Sequence, residues 1–255
     1  MINITGARRR AQLQAAIENQ MQALERVFML IVQKQLKKQY SAAASRVEGG
    51  SDKISSAVDR NKKEFQKVIQ AQYIRTAKRF APMIFDNLSK AKGIQIKSIE
   101  TEFDAFVWKW ARLIAAQKVV DVSNATKSKI AAVIMAGREE GLSSAAIGRH
   151  IRKDIIPIDT VYRAERIART ETHTAAVGGM TEAMETTGLT YTKSWVAALD
   201  DRTRESHRQA EIDNVDIPQD KPFIVDGEEL MYPGDANGSA GNIINCRCVV
   251  FYNTK

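Results

Sequence analysis

Three polar motifs in the last third of the 255-residue chain decide its fold: Arg169-Thr170-Glu171, then Asp201-Arg202-Thr203-Arg204 with His207, then Asn245-Cys246-Arg247-Cys248. The first lies in a helix-like run, and the third opens a strand-like run over 248–252. The second follows another strand-like run and is typical of a turn that opens a short helix. The mostly apolar face of that strand-like run comprises Leu189, Tyr191, Trp195, Ala197 and Leu199. Polar side chains at element ends usually pin elements together or form a site.

Taken in order, these motifs resemble the C-terminal domain of the phage Mu F-like minor head proteins, the head morphogenesis family. That family typically shows an R-T-E helix, a tryptophan-bearing strand that runs into D-x-R-T-R-x-x-H, and a closing N-C-R-C. Here Trp195 lies in the corresponding strand-like run, and the resemblance covers roughly residues 125 to 252. In that family a short Asp-Gly step often follows the histidine. The loop departs from this pattern here, because His207 is followed by 208–211 (Arg-Gln-Ala-Glu), and the nearest Asp-Gly step is Asp226-Gly227.

The resemblance implies a minor capsid protein of a tailed phage or prophage, present in few copies and not an enzyme. It implies association with the portal protein, other capsid components and double-stranded DNA, and a role in head assembly or DNA delivery. The expected location is the inside of the virion head, and the host cytoplasm during assembly. Two alternatives stay open: a metal-dependent hydrolase or transferase domain, and a cellular DNA-binding protein.

The charge distribution also favours a polyanionic partner. The net charge is +8, but residues 1–120 hold 22 Lys and Arg against 10 Asp and Glu, whereas residues 121–255 hold 16 against 20. A basic N-terminal half predicts contact with DNA without sequence preference. The alternative is that long exposed helices carry lysines for solubility.

Membrane and export signals are not expected in this sequence. No apolar run follows the arginines at 8–10, which predicts no signal peptide, and no apolar run reaches the ~18 residues that cross a bilayer. Two cysteines at i and i+2 do not make a disulfide framework, so a reducing compartment is the default.

The pattern of apolar residues predicts an α+β protein: an extended all-helical N-terminal half, then a small α+β C-terminal domain. We place the boundary between 1–122, a basic helical region, and 123–255, the Mu F-like domain. Strands are expected over 189–198, 223–231 and 246–252. Six helices are predicted. The first three span 7–44, then about 54 to an end at Pro82, then a segment that follows a break at Lys92-Gly93 and has an apolar seam over 99–113. The last three run from an N-cap at Ser123 to Gly137 or Gly141, over 144–152, and over 160–186, where Gly188 ends the helix.

The polar motifs admit three interpretations. The one we favour is a structural staple in which Arg169 and Glu171 pair with Arg202, Arg204 or Asp201, His207 is a satisfied hydrogen-bonded residue, and no cofactor is needed. A zinc site is the second, with Cys246, Cys248 and His207 as ligands and His173 or Asp201 as a fourth. The third is catalysis by a cysteine with His207 as the base and Asp201 as the orienting group. The staple comprises Arg169, Glu171, Trp195, Asp201, Arg202, Arg204, His207, Cys246 and Cys248.

Overall fold

The computed structural model of the chain describes residues 7–92, 96–198 and 200–254. Two residues used in the predictions above, Gly93 and Leu199, lie outside this range. The helices are α1 (Ala7–Glu48), α2 (Ser55–Asp59), α3 (Lys62–Lys92), α4 (Ile96–Glu139), α5 (Ser144–His150), α6 (Ile156–Thr186), α7 (Glu205–Asp213) and α8 (Ala240–Ile243). The strands are β1 (Tyr191–Val196), β2 (Ile217–Pro218), β3 (Phe223–Val225), β4 (Glu228–Leu230) and β5 (Val249–Thr254). The predicted α+β class, with helices first and strands in the last quarter, is confirmed.

Two of the predicted helix boundaries are wrong. Pro82 lies inside α3 instead of ending it, with its side chain exposed. Ser123 is not an N-cap but a buried residue within α4, where its hydroxyl accepts a hydrogen bond from Gln39 Nε2 at 3.0 Å. A serine can satisfy its hydroxyl through a tertiary partner as well as at a helix start. The sequence pattern does not distinguish these two uses.

The segment before α6 is also continuous where a break was predicted. A π-helical turn, Ile151–Ile155, joins α5 to α6, so that Pro157 lies in the first turn of α6. That position tolerates proline because the first amides of an α-helix have no intrahelical acceptor. Two other signals are confirmed: Ser143 caps α5 through Ala146 N at 3.2 Å, and Gly188, with φ +66°, follows the end of α6.

The strands form two antiparallel sheets. The larger has the order β2-β1-β5, with Trp195 paired to Val250 and Val196 to Val249. The smaller is the hairpin of β3 and β4, closed by Asp226 (φ +53°) and Gly227 (φ +77°). Two left-handed residues in an Asp-Gly step suit the right-handed twist of a two-residue hairpin.

The chain divides into two compact units, each built from separated segments. Unit 1 comprises 1–25, 72–110 and 169–255, and unit 2 comprises 26–71 and 111–168. The core of unit 1 includes Phe80, Phe103, Trp195 and Phe251, whereas that of unit 2 includes Tyr40 and Ile147. In unit 1, α6 packs closely on α3, since a Cβ at Gly179 would lie 2.7 Å from Ala77. The predicted domains, 1–122 and 123–255, are each continuous in sequence, and the boundary between them stays a prediction.

None of the helices in the described ranges combines the length and the apolar character that a bilayer crossing requires.

Candidate functional site

Asp200 is the centre of the turn between β1 and α7 in unit 1. Its carboxylate accepts hydrogen bonds from both terminal nitrogens of Arg247, one of them at 2.5 Å. It also accepts from the backbone amide of Arg202 at 3.1 Å and from the hydroxyl of Thr203 at 3.0 Å. The backbone carbonyl of Asp200 accepts from Arg208. The carboxylate therefore closes the turn and ties it to the segment before β5.

Arg247 makes this tie from the middle of the Asn-Cys-Arg-Cys motif. Its side chain is only 12% exposed, and it lies 3.7 Å from Glu18 of α1 as well as against Asp200. Gln14 of α1 donates to the backbone carbonyl of Arg247 at 3.3 Å. Hydrogen bonds from Arg247 hold the pKa of Asp200 well below its ordinary range, and the carboxylate in turn raises the pKa of Arg247. A fork-to-carboxylate pair of this kind fixes geometry as well as charge.

The Arg-Thr-Glu helix meets the same segment through its threonine. The hydroxyl of Thr170 accepts from the backbone amide of Asn245 at 3.1 Å. Asn245 has φ +57°, a left-handed conformation that asparagine adopts more readily than most residues. One turn further along α6, His173 Nε2 donates to the carbonyl of Cys248 at 2.7 Å. Burial lowers the pKa of His173 to about 4, so this donor is a neutral imidazole.

Cys246, Cys248 and His207 lie together beneath this polar network. All three are at most 2% exposed, and their ligand atoms all lie within 4.8 Å of one another. His207 Nδ1 is 3.4 Å from the sulfur of Cys248 and 3.8 Å from that of Cys246. The indole of Trp195 packs edge-on against the imidazole of His207, with ring centroids 5.5 Å apart.

The two thiols are chemically unequal. Burial opposes ionisation of Cys246, but a hydrogen bond from Cys248 and the charges of Arg204 and Arg247 outweigh it and lower the pKa of Cys246. The hydrogen bond to Cys246, together with burial, raises the pKa of Cys248 well above its ordinary value. The two thiols are therefore a coupled pair, whose ionisation depends on the hydrogen bond between them.

The predicted staple residues make contacts outside the predicted set. Arg169 lies 3.8 Å from Glu25 of α1, and the buried carboxylate of Glu171 accepts from the hydroxyl of Tyr73 on α3. Arg204 donates to the carbonyl of Ile244 at 2.6 Å. These contacts run to α1, α3 and the backbone, and the staple itself stays a prediction.

Two members of the predicted set contribute little to the staple. Asp201 is exposed, and the side chain of Arg202 is 69% exposed, with an ion pair of 3.2 Å to Asp200. Asp201 was expected as one of three alternative partners of Arg169 and Glu171, but the aspartate that ties the motifs together is Asp200. The sequence contained the signal: in the pattern D-x-R-T-R-x-x-H, the aspartate three residues before Thr203 is Asp200.

Four other residues of the site were not predicted from the sequence. Arg247 was part of a quoted motif but was assigned no role. Tyr73, Glu18 and Gln14 lie far from the motifs along the chain, and periodicity alone assigns them only to helices. Their roles follow from tertiary packing within unit 1.

The fold and the site thus define a mostly helical α+β protein with a polar centre, formed by Asp200, Arg247 and Thr170 and their hydrogen-bond partners. This polar centre joins the middle of α6, the β1–α7 turn and the segment before β5. Residues 128–251 match the family described as Phage Mu protein F like protein. The resemblance inferred from the motifs is confirmed for this part of the chain, which holds all three motifs and the residues of the polar centre that lie in α6, the β1–α7 turn and the approach to β5.

Two curated relatives are similar to parts of the chain. The minor head protein GP7 of Bacillus phage SPP1 is 33% identical over 144 residues, which is 55% of this chain and 44% of that protein. The NAD(+)–arginine ADP-ribosyltransferase EFV of Enterococcus faecalis is 36% identical over 120 residues, which is 45% of this chain and 23% of that protein. The chain thus matches less than half the length of either relative. No solved structure matches it.

Proposed function

We propose that the protein is a minor capsid component that acts in the morphogenesis of a tailed-phage or prophage head. The observation that carries the proposal is the match of residues 128–251 to the Mu F-like family, together with the use of its motifs as structural ties. The similarity to a phage minor head protein supports it. On this proposal the partners are the portal protein and other capsid components, and the location is the interior of the virion head after assembly in the host cytoplasm.

An enzymatic role, as a metal-dependent hydrolase or transferase using Cys246, Cys248 and His207, is supported less well. The three side chains are buried, so a substrate would reach them only after a rearrangement of the polar centre. The transferase name of one relative describes a protein of which 77% lies outside the aligned part, so it does not carry over to the aligned segment. We therefore propose that the polar centre is structural.

The assembly role is tested by deleting the reading frame from the phage or prophage that carries it. We expect infectious titre to fall and the particles to show abnormal or incompletely filled heads, with rescue by the wild-type protein supplied in trans. Mass spectrometry of purified particles should detect the protein at a few copies per head. Normal titre and normal heads in the deletion strain, with no protein in wild-type particles, would overturn the proposal.

We propose further that unit 2 contacts packaged DNA. Unit 2 holds 20 Lys and Arg against 10 Asp and Glu, whereas unit 1 holds 18 against 20. The net charge is therefore +10 for unit 2 and −2 for unit 1, so unit 2 carries the basic excess. On α1, Lys34 and Lys37 are exposed and one helical turn apart. Such a surface favours duplex DNA without sequence preference.

We expect the full-length protein to bind a labelled random duplex with an affinity that falls steeply as salt rises, because binding releases counterions. The double variant Lys34→Gln/Lys37→Gln should reduce the slope of log affinity against log salt by about 2. The control is Lys109→Gln/Lys221→Gln, which removes two exposed lysines of unit 1 and should leave the slope unchanged. An affinity that does not change between low and physiological salt would contradict DNA binding.

A further inference from the structure

The cluster of Cys246, Cys248 and His207 takes no part in the hydrogen bonds that tie the motifs together. The ties run through Asp200, Arg247 and Thr170, whereas Cys246, Cys248 and His207 contact one another. Both cysteines are reduced and buried. We propose that these three side chains bind one zinc ion, which joins α7 to the segment that leads into β5.

The distances between the donor atoms suit a tetrahedral zinc ion. With zinc–sulfur and zinc–nitrogen bonds of about 2.3 and 2.0–2.1 Å, two ligands at the tetrahedral angle are separated by roughly 3.6 Å. His207 Nδ1 lies 3.4 Å from one cysteine sulfur and 3.8 Å from the other. Both histidine–sulfur distances therefore lie within about 0.2 Å of this separation, and the third, between the two sulfurs, is at most 4.8 Å.

The charges of the donor set also suit a divalent ion in a buried place. Two thiolates and a neutral imidazole balance the 2+ charge, and a buried site disfavours any net charge that is not compensated. The thiol protons of Cys246 and Cys248 leave to solvent when the ion binds. The neighbouring cations are engaged elsewhere, with Arg247 on Asp200 and Arg204 on the carbonyl of Ile244.

The backbone around the three ligands is held in place, as a metal site requires. The amide of Cys246 donates to the carbonyl of Ile243 at 3.2 Å, and the carbonyl of Cys248 accepts from His173. The amide of His207 donates to the carbonyl of Arg204 at 3.1 Å. The cluster is therefore preformed by contacts that do not depend on the ion.

In the part of the chain that the structure describes, the cluster offers three donors from histidine, cysteine and acidic side chains. Neither fourth ligand suggested by the sequence completes the set: Asp201 is exposed, and His173 is not among the donors that lie within 4.8 Å of one another. Three protein ligands leave one tetrahedral position for water. The preference for a metal-free staple that the sequence alone supported is thereby reversed, because the sequence did not show that His207 reaches both sulfurs.

The test uses the full-length protein, expressed with a removable tag that contains no histidine, purified without chelator and dialysed. Elemental analysis should find about one zinc per chain. After exchange into cobalt(II), the protein should show a thiolate-to-cobalt charge-transfer band and the visible bands of tetrahedral cobalt. His207→Gln and Cys248→Ser should lose most of the zinc and change both sets of bands. The matched control is His150→Gln, an exposed histidine of unit 2 whose replacement should leave the zinc content unchanged.

The cobalt measurement on the wild-type protein keeps the test decisive if a variant fails to fold. Wild-type protein that is folded by circular dichroism, has both thiols titratable, contains no zinc and gives no tetrahedral cobalt spectrum would overturn the proposal. So would a Cys246–Cys248 disulfide in freshly purified protein under reducing lysis. Retention of one zinc with an unchanged cobalt spectrum in folded His207→Gln would refute the proposed ligand set.

Discussion

Asp200→Ala is expected to lower the free energy of unfolding by about 2–3 kcal/mol, the range for hydrogen bonds that involve charged groups. The variant removes the acceptor of two bonds from Arg247, one from the Arg202 amide and one from Thr203. It also leaves the Arg247 guanidinium, 12% exposed, beside Glu18 alone. Asp200 itself is 32% exposed, so the loss should stay below the ~3–5 kcal/mol of a fully buried pair.

The adjacent residue provides the control for this prediction. Asp201→Ala removes a carboxylate of the same kind from the neighbouring position. Because Asp201 is exposed, the free energy of unfolding should change by no more than about 0.5 kcal/mol. Arg202→Ala should also cost little, because its side chain is exposed and its backbone amide still reaches Asp200. Chemical denaturation of the full-length protein measures the free energy. Equal midpoints for Asp200→Ala and Asp201→Ala would contradict the assignment of Asp200 as the centre.

The full chain is needed for such measurements because unit 1 is assembled from distant segments. A fragment that begins near residue 125 lacks Phe80 and Phe103, which belong to the same core cluster as Trp195 and Phe251.

Hydrogen exchange of the amides over 200–208 and 245–249 localises the effect of Asp200→Ala to the polar centre. In Asp200→Ala these amides should exchange faster, whereas amides of unit 2 should be unchanged.

The sequence predicted elements well where the signal is local. Ser143 and Gly188 mark helix ends by cap chemistry, since each effect depends on residues next to one another. The single strand expected over 223–231 is wrong: this segment is the hairpin of β3 and β4, which turns at Asp226-Gly227. The helix end predicted at Pro82 and the N-cap predicted at Ser123 are wrong, because tertiary contacts override local propensity in long helices. The same limit applies to the site: its motifs were visible, but the partners on α1 and α3 were not.

The distinction between a staple and an active site rests on how stability and function change together. Catalytic side chains can often be replaced with little loss of stability, whereas a structural tie loses both. For Asp200→Ala we therefore expect particle assembly to fall with the free energy of unfolding, while Asp201→Ala retains both. Normal stability with lost assembly in Asp200→Ala would favour a direct contact or chemical role for Asp200.

Glu171→Ala is expected to be at least as damaging, with a loss of about 2–4 kcal/mol. The carboxylate is 6% exposed and accepts from the hydroxyl of Tyr73, which lies in the core of unit 1 at 0% exposure. Its removal leaves a buried hydroxyl without that acceptor, which costs about 1–3 kcal/mol, and creates a void where the side chain was. Burial and the nearby carboxylate raise the pKa of Tyr73 well above its ordinary value, so the tyrosine is the donor in this bond.

A double-mutant cycle isolates this bond from the void. Tyr73→Phe removes the donor with little change in shape, and the double variant Glu171→Ala/Tyr73→Phe should cost less than the sum of the single variants by about 1–2 kcal/mol. The control is an exposed residue on the same helix, Tyr162→Phe, which is expected to change the free energy of unfolding by less than about 0.5 kcal/mol. Strict additivity of the Glu171 and Tyr73 variants would show that the two side chains stabilise the fold independently, and the tie between α6 and α3 would then rest on apolar packing, as at Gly179 against Ala77.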